Sequence, residues 1–190
     1  MSHDTQEINK SRINLQELDD IWLFGYGSLM YKVDFPILEQ RPAILHGWKR
    51  RFWQGSHDHR GTEIAPGRVL TLIKDPEASC FGLALRITTE EFEYLDHREK
   101  NGYLRYLEPL EFTGGANKPG VIYIAPEDNE AFLGKDTEQN IARHIASSRG
   151  PSGENADYVF DLAQALREHQ ADDAHVFAIE QWLLRLQADN

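Results

Sequence analysis

Ile21-Trp22-Leu23-Phe24-Gly25-Tyr26-Gly27-Ser28-Leu29-Met30 begins with an unbroken apolar run and ends in a glycine-containing turn. Ile21 to Phe24 therefore reads as a buried strand that delivers the chain to a loop at Gly25, a place where functional groups often sit. Gly25 and Gly27 tolerate backbone conformations closed to other residues, so the N–H groups of the loop can approach an anionic ligand closely. An ordinary tight turn uses glycine in the same way. The segment lacks the third glycine of a dinucleotide fingerprint and the Gly-Lys-Ser/Thr ending of a phosphate loop. Ser28 is not in a Gly-x-Ser-x-Gly arrangement, so it is assigned to orienting a substrate or capping the turn, not to nucleophilic attack.

Downstream, Val69 to Ile73 and Phe81 to Ile87 are β-like runs, and Lys74-Asp75-Pro76-Glu77 between them predicts a turn and hence a hairpin. Thr88 followed by Glu91 has the form of a capping box and predicts a short helix. That helix carries Phe92 and Leu95 on one face and runs out near Arg98, before Asn101-Gly102, so Glu99 falls at a helix-to-loop boundary. Tyr103 to Phe112 and Val121 to Ala125 read as strands, with Thr113 to Gly120 as the turn between them. From Asp136 onward three helices are predicted, broken at Gly150-Pro151 and around Asp172-Asp173. Val159, Leu162, Ala163 and Leu166 recur at helical spacing, as do Val176, Ile179, Leu183 and Leu186, and both sets read as core.

Upstream, residues 1–20 are mostly polar and read as a poorly ordered tail without the continuous apolar stretch of a signal peptide. Residues 21–190 then form a single α+β domain, a mixed β-sheet or small barrel with flanking helices. With 190 residues the chain can bury a substantial core. Its net charge of −11 repels phosphate backbones and anionic lipid, which argues against nucleic-acid and membrane partners. Cys80 is the single cysteine, so neither an intrachain disulfide nor a Cys-rich zinc framework can form. No stretch has the length of a membrane span, and a reducing, cytoplasmic location is expected.

Asp96-His97-Arg98-Glu99-Lys100 is either a solvated helix end or a source of a proton-transfer carboxylate. His57-Asp58-His59 falls short of the three or four ligands usual for zinc and reads as a solvated loop. Arg50, Arg51, Arg60 and Arg68 can pair with substrate carboxylates or balance the acidic excess. Gly150-Pro151-Ser152-Gly153-Glu154-Asn155 reads as a helix stop followed by a cap. Tyr158, about one turn into the next helix, can point its hydroxyl into a site or to the surface.

These segments follow one another in an order that resembles the ChaC family of glutathione-specific γ-glutamylcyclotransferases. The resemblance rests on Phe24-Gly25-Tyr26-Gly27-Ser28-Leu29, Arg50-Arg51-Phe52-Trp53-Gln54-Gly55-Ser56, Asp58-His59-Arg60-Gly61 and Pro66-Gly67-Arg68-Val69. It continues through Tyr94-Leu95-Asp96, Arg98-Glu99-Lys100, Gly102-Tyr103, Gly150-Pro151-Ser152-Gly153 and Asn155. Tyr31 stands where many members carry Trp. The resemblance implies that Glu99 is the catalytic acid/base and that Gly25, Tyr26, Gly27, Ser28, Leu29 and Met30 hold the γ-glutamyl group, with Arg68 and Tyr158 as further substrate contacts. It implies cleavage of glutathione to 5-oxoproline and Cys-Gly. The substrate's own amine is the nucleophile, so neither metal nor cofactor is needed. Two alternatives stay open at this level: a cyclotransferase for other γ-glutamyl peptides or amines, and a non-catalytic γ-glutamyl-binding module.

Overall fold

The apolar run becomes β1 (Ile21–Gly25), buried at every residue, in a computed structural model that describes residues 4–189. Burial on both faces is what a strand without polar alternation requires, and the topology supplies it. The strands β2 (Glu39–Ser56), β3 (Gly67–Ile87), β4 (Leu104–Phe112) and β5 (Asn117–Ile124) join β1 in a closed barrel of order β1-β3-β2-β4-β5. β1 runs antiparallel to β3, from Ile21↔Ile87 to Gly25↔Leu83. It meets β5 in parallel through Trp22↔Gly120 and Leu23↔Val121, and this short seam closes the ring. β4 and β5 form a regular antiparallel hairpin from Leu104↔Ile124 to Glu111↔Asn117.

The α+β class is the expected one, and of the two sheet forms left open the barrel is adopted. Within this domain the described residues fall into two compact units. The first lies within Met1–Lys49 and Leu72–Glu130, the second within Arg50–Thr71 and Ala131–Asn190. Leu23, Leu45, Leu72, Leu83, Leu85, Leu110 and Val121 fill the first core. The second holds α3 (Glu138–Ala146), α4 (Asn155–Glu168) and α5 (Ala174–Ala188), the three helices expected, and buries Ile141, Ile145, Val159, Leu162, Leu166, Val176 and Ile179. Asp173 caps α5 by accepting from Val176 N at 3.1 Å, a bond that explains the break before it. Among the described residues no helix is long and apolar enough to cross a membrane.

Several local expectations are corrected. Asp75-Pro76 does not turn the chain: β3 is one strand of 21 residues. Its middle is exposed, where a proline without an N–H is tolerated, and Asp75 takes an ion pair from Lys49 at 2.7 Å. β2, 18 residues long, has no counterpart in the sequence reading. As far as Gln54 its buried positions are Ala43 and Leu45, then Trp48, Arg50, Phe52 and Gln54, so the alternation shifts by one around Gly47, whose φ of +79° marks an interruption of the ladder. Arg50 and Gln54 on the inner face further disguise the period. β5 starts at Asn117, which shortens the predicted turn from its C-terminal side.

Thr88 makes no side-chain cap; a 3-10 turn at Thr89–Glu91 leads instead into α2 (Phe92–Arg98). Gly150 and Gly153 pair across a two-residue ribbon, β6 (Arg149–Gly150) with β7 (Gly153–Glu154). Asn155 does not cap α4: it is fully buried and brackets Arg68, accepting from its N at 2.7 Å and donating to its O at 2.8 Å. The N-terminal segment is not a loose tail over its described part. It forms α1 (Gln6–Arg12), with Asn9 buried, while residues 1–3 lie outside the described residues.

Candidate active site

α2 is seven residues long, too short to hold itself, and is fixed by its buried face: Phe92, Leu95 and Asp96. Asp96 accepts from Arg105 through both carboxylate oxygens, the Nε bond measuring 2.9 Å, and from the Tyr123 hydroxyl at 2.7 Å. The Arg105 guanidinium also lies over the Phe92 ring at 4.7 Å. Burial, helped by the bond to Asp96, pushes the Tyr123 phenol far above its ordinary value, so it is a fixed neutral donor. Tyr123 in turn offers its carbonyl to the Tyr26 hydroxyl at 2.7 Å, which ties the glycine loop to the same strand that steadies α2.

Glu99 follows Leu95 by four residues and Asp96 by three, and so continues the buried face of α2 by one position. Its N–H closes the last helical bond, to Leu95 O at 2.8 Å, and its side chain keeps 20% of its surface exposed. The expected helix-to-loop boundary is thus where Glu99 sits, as the C-cap of α2. A carboxylate there is held at its backbone yet open to a ligand.

The loop after β1 tightens into a 3-10 turn over Ser28–Met30, with Met30 N bonded to Gly27 O at 2.9 Å and Lys32 N to Ser28 O at 2.8 Å. Gly25 is required by proximity: a Cβ there would stand 2.7 Å from Leu29 Cβ. Leu29 and Met30 are buried, so the turn is anchored by its own apolar side chains.

Arg98 joins the two parts. Its Nη2 donates to Ser28 Oγ at 2.8 Å, its Nη1 pairs with Asp34 Oδ1 at 2.9 Å, and its Nε faces Glu99 Oε1 at 3.3 Å. Asp34 Oδ2 also accepts from Tyr94 Oη at 2.8 Å. Ser28 therefore neither caps the turn nor faces a base; it receives a cation's hydrogen bond. The structure brings Ser28 and Glu99 together through a residue to which the sequence reading gave no role. Arg98 sits in a run of charges that reads as solvated, and only its place in the Arg98-Glu99-Lys100 motif marks it.

Arg68 and Tyr158 belong to the second unit. The Arg68 guanidinium donates to Phe52 O and to Gly134 O, each at 3.0 Å, and burial pulls it below its ordinary value against the opposing charge of Asp136. Tyr158 is buried edge-on to Phe52 at 5.7 Å, with the Arg60 guanidinium 5.8 Å from its ring. Arg50 pairs with Asp173 at 2.9 Å, Arg51 reaches Arg50 O at 2.7 Å, and Arg60 donates to Glu154 O at 2.8 Å. All four arginines of that cluster thus have partners inside the second unit.

A family model described as ChaC-like protein matches residues 21–186. The chain belongs to the ChaC family. Among its ChaC-like relatives, "Glutathione-specific gamma-glutamylcyclotransferase 1" of Danio rerio is 40% identical over 175 residues, covering 86% of this chain and 89% of the relative. "Gamma-glutamylcyclotransferase 2-3" of Arabidopsis thaliana is 41% identical over 170 residues, covering 82% and 84%. A crystal structure of the glutathione-specific γ-glutamyl cyclotransferase from yeast superposes with a TM-score of 0.81 at 32% identity, covering 87% of this chain and 96% of the other. The ChaC match takes in β1, the glycine loop, α2 and Glu99, and starts after α1.

Proposed function

We propose that the chain degrades glutathione by cyclising its γ-glutamyl group, releasing 5-oxoproline and Cys-Gly. Glu99 takes a proton from the substrate α-ammonium, and the freed nitrogen attacks the γ-carbonyl carbon. A tetrahedral intermediate forms, its oxyanion facing backbone N–H groups of the Gly25–Met30 loop. The bond from the γ-carbon to the cysteinyl nitrogen then breaks, Glu99 returns its proton to that departing amine, and the second proton leaves the ring nitrogen for the released amine, giving the neutral lactam and the Cys-Gly ammonium. One C–N bond is made and one is lost, so the reaction consumes no water and uses no enzyme nucleophile, metal or cofactor. Folding the glutamyl chain so that its amine meets its own carbonyl supplies much of the acceleration.

The observation that carries this assignment is the Arg98 bridge, which sets a carboxylate at 3.3 Å and the glycine-loop serine at 2.8 Å from one guanidinium. The glutathione-specific names carried by relatives 36% to 40% identical favour glutathione as the substrate. Arg68 and Tyr158 are proposed as further substrate contacts on the strength of the family motif. A reducing, cytoplasmic location fits the lone buried thiol of Cys80.

Purified protein incubated with reduced glutathione, with both products quantified by mass spectrometry, tests the assignment. Glu99→Gln is expected to lower turnover by roughly 100- to 10,000-fold, the range for loss of a general acid/base. Equal turnover by wild type and variant removes Glu99 from the chemistry. Consumption of other γ-glutamyl peptides but not glutathione moves the substrate, and binding without consumption moves the protein to a non-catalytic role.

A further inference from the structure

The segment that follows Glu99 is bonded along its backbone to the N-terminal segment. Thr5 donates to Lys100 O through both its N, at 3.0 Å, and its Oγ1, at 3.1 Å. The same hydroxyl lies 2.7 Å from Tyr103 O, and Asp4 forms a β-bridge with Asn101. Asn9 donates from Nδ2 to Tyr103 O at 3.0 Å and accepts from Arg105 N at 2.9 Å, while Arg12 Nε donates to Arg105 O at 2.8 Å. Asn9 is 0% exposed. A buried amide with donor and acceptor both used is costly to disturb, because each orphaned partner loses its hydrogen bond without regaining water.

These contacts have a direction. They fall on Lys100, Asn101, Tyr103 and Arg105, the backbone by which α2 rejoins β4, and Arg105 is also the partner of Asp96. Glu99 is thereby fixed from both sides: by α2 before it, and by the N-terminal segment on the residue after it.

We propose that Asp4–Arg12 is a strap that positions Glu99 for catalysis, with Thr5 and Asn9 as its two positioning residues. The strap lies wholly before the residues matched by the family, 21–186. It touches no reacting atom: it acts by holding the peptide next to Glu99 in one conformation, so that the carboxylate meets the substrate amine at a constant distance. Displacement of a catalytic group by about 1 Å can cost around a hundredfold in rate, which is the scale on which such a strap acts. The proposal rests on the role assigned to Glu99, and its test separates the two.

Full-length Asn9→Ala, Asn9→Asp and Thr5→Val are compared with wild type and Glu99→Gln. Thr5→Val keeps the shape and removes only the hydroxyl, so it serves if Asn9→Ala does not fold. Expected is a fall in kcat for glutathione of about tenfold or more with KM within about twofold, in protein whose circular dichroism at assay temperature matches wild type. Faster amide exchange over residues 99–105 accompanies it, and Asn9→Ala added to Glu99→Gln lowers kcat no further. Unchanged kcat in the folded variants, or a rise in KM alone, overturns the strap. If wild type does not consume glutathione, the functional assignment fails on its own. Amide exchange then decides the strap: faster in the variants supports it, unchanged overturns it.

Discussion

At the scale of single residues, Arg98 is the junction, because one planar guanidinium serves three oxygens on Asp34, Ser28 and Glu99. A lysine ammonium cannot reproduce that fork. Arg98→Lys is expected to lower kcat by roughly tenfold to a hundredfold with a small change in KM, as hydrogen bonds to charged groups are worth about 1.5–3 kcal/mol each. Steady-state kinetics measures it, and millimolar guanidinium ion should restore part of the activity of Arg98→Ala. Gly25→Ala tests the loop from its other end: its methyl must displace Leu29 from 2.7 Å. Overpacking of this kind costs about 1–3 kcal/mol, to be seen as a lower urea midpoint together with weaker turnover.

At the scale of elements, the fate of α2 hangs on a buried ion pair. Asp96→Ala leaves Arg105, itself 4% exposed, without its counter-charge, and is expected to cost about 3–5 kcal/mol in urea unfolding. The elements legible in the sequence are those whose signals are local. β1 is a bare apolar run, α2 ends where its periodicity meets Asn101-Gly102, and the last three helices are separated by glycine, proline and Asp173. β2 was not legible, since Arg50 and Gln54 lie on its inner face and the step at Gly47 shifts the pattern. The predicted hairpin at Asp75-Pro76 failed because a local turn preference is outweighed by pairing along both flanks of a long strand. α1 was hidden for a related reason: Asn9 is polar and reads as solvated until its partners on Tyr103 and Arg105 are known. Of the candidate site, the positions of Glu99 and the glycine loop were legible through motif order, but the bridging role of Arg98 is a matter of three-dimensional reach.

At the scale of the whole molecule, stability should depend on pH through His175. Its Nε2 accepts from Phe52 N at 3.1 Å, and its Nδ1 donates to Glu138 Oε1 at 3.1 Å, which defines the neutral ring. Burial, opposed by Glu138 and Asp173 and aided by Arg51, holds its pKa below the ordinary 6.5. The unfolded chain therefore binds a proton that the folded chain refuses. Stability from this group is complete above about pH 6.5 and declines as pH falls toward the lower folded value. Glu138, whose pKa is lowered below 4.5, adds its own loss only in more acidic solution. Thermal unfolding from pH 8 to pH 5.5 should show a falling midpoint in wild type and a flatter profile in His175→Gln.

The closed barrel also governs how the protein ages in concentrated solution. An open sheet presents unpaired backbone to its neighbours and can grow into fibrils by strand addition. Among the described residues the barrel offers no such free edge, so growth must begin with its opening. Two of its seams are only two residue pairs long: the parallel one of Trp22↔Gly120 and Leu23↔Val121, and the antiparallel one of Ala43↔Phe112 and Ile44↔Glu111 between β2 and β4. Shelf life is then a property of these four residue pairs, and a formulation that keeps them closed protects against fibrils nucleated from the barrel.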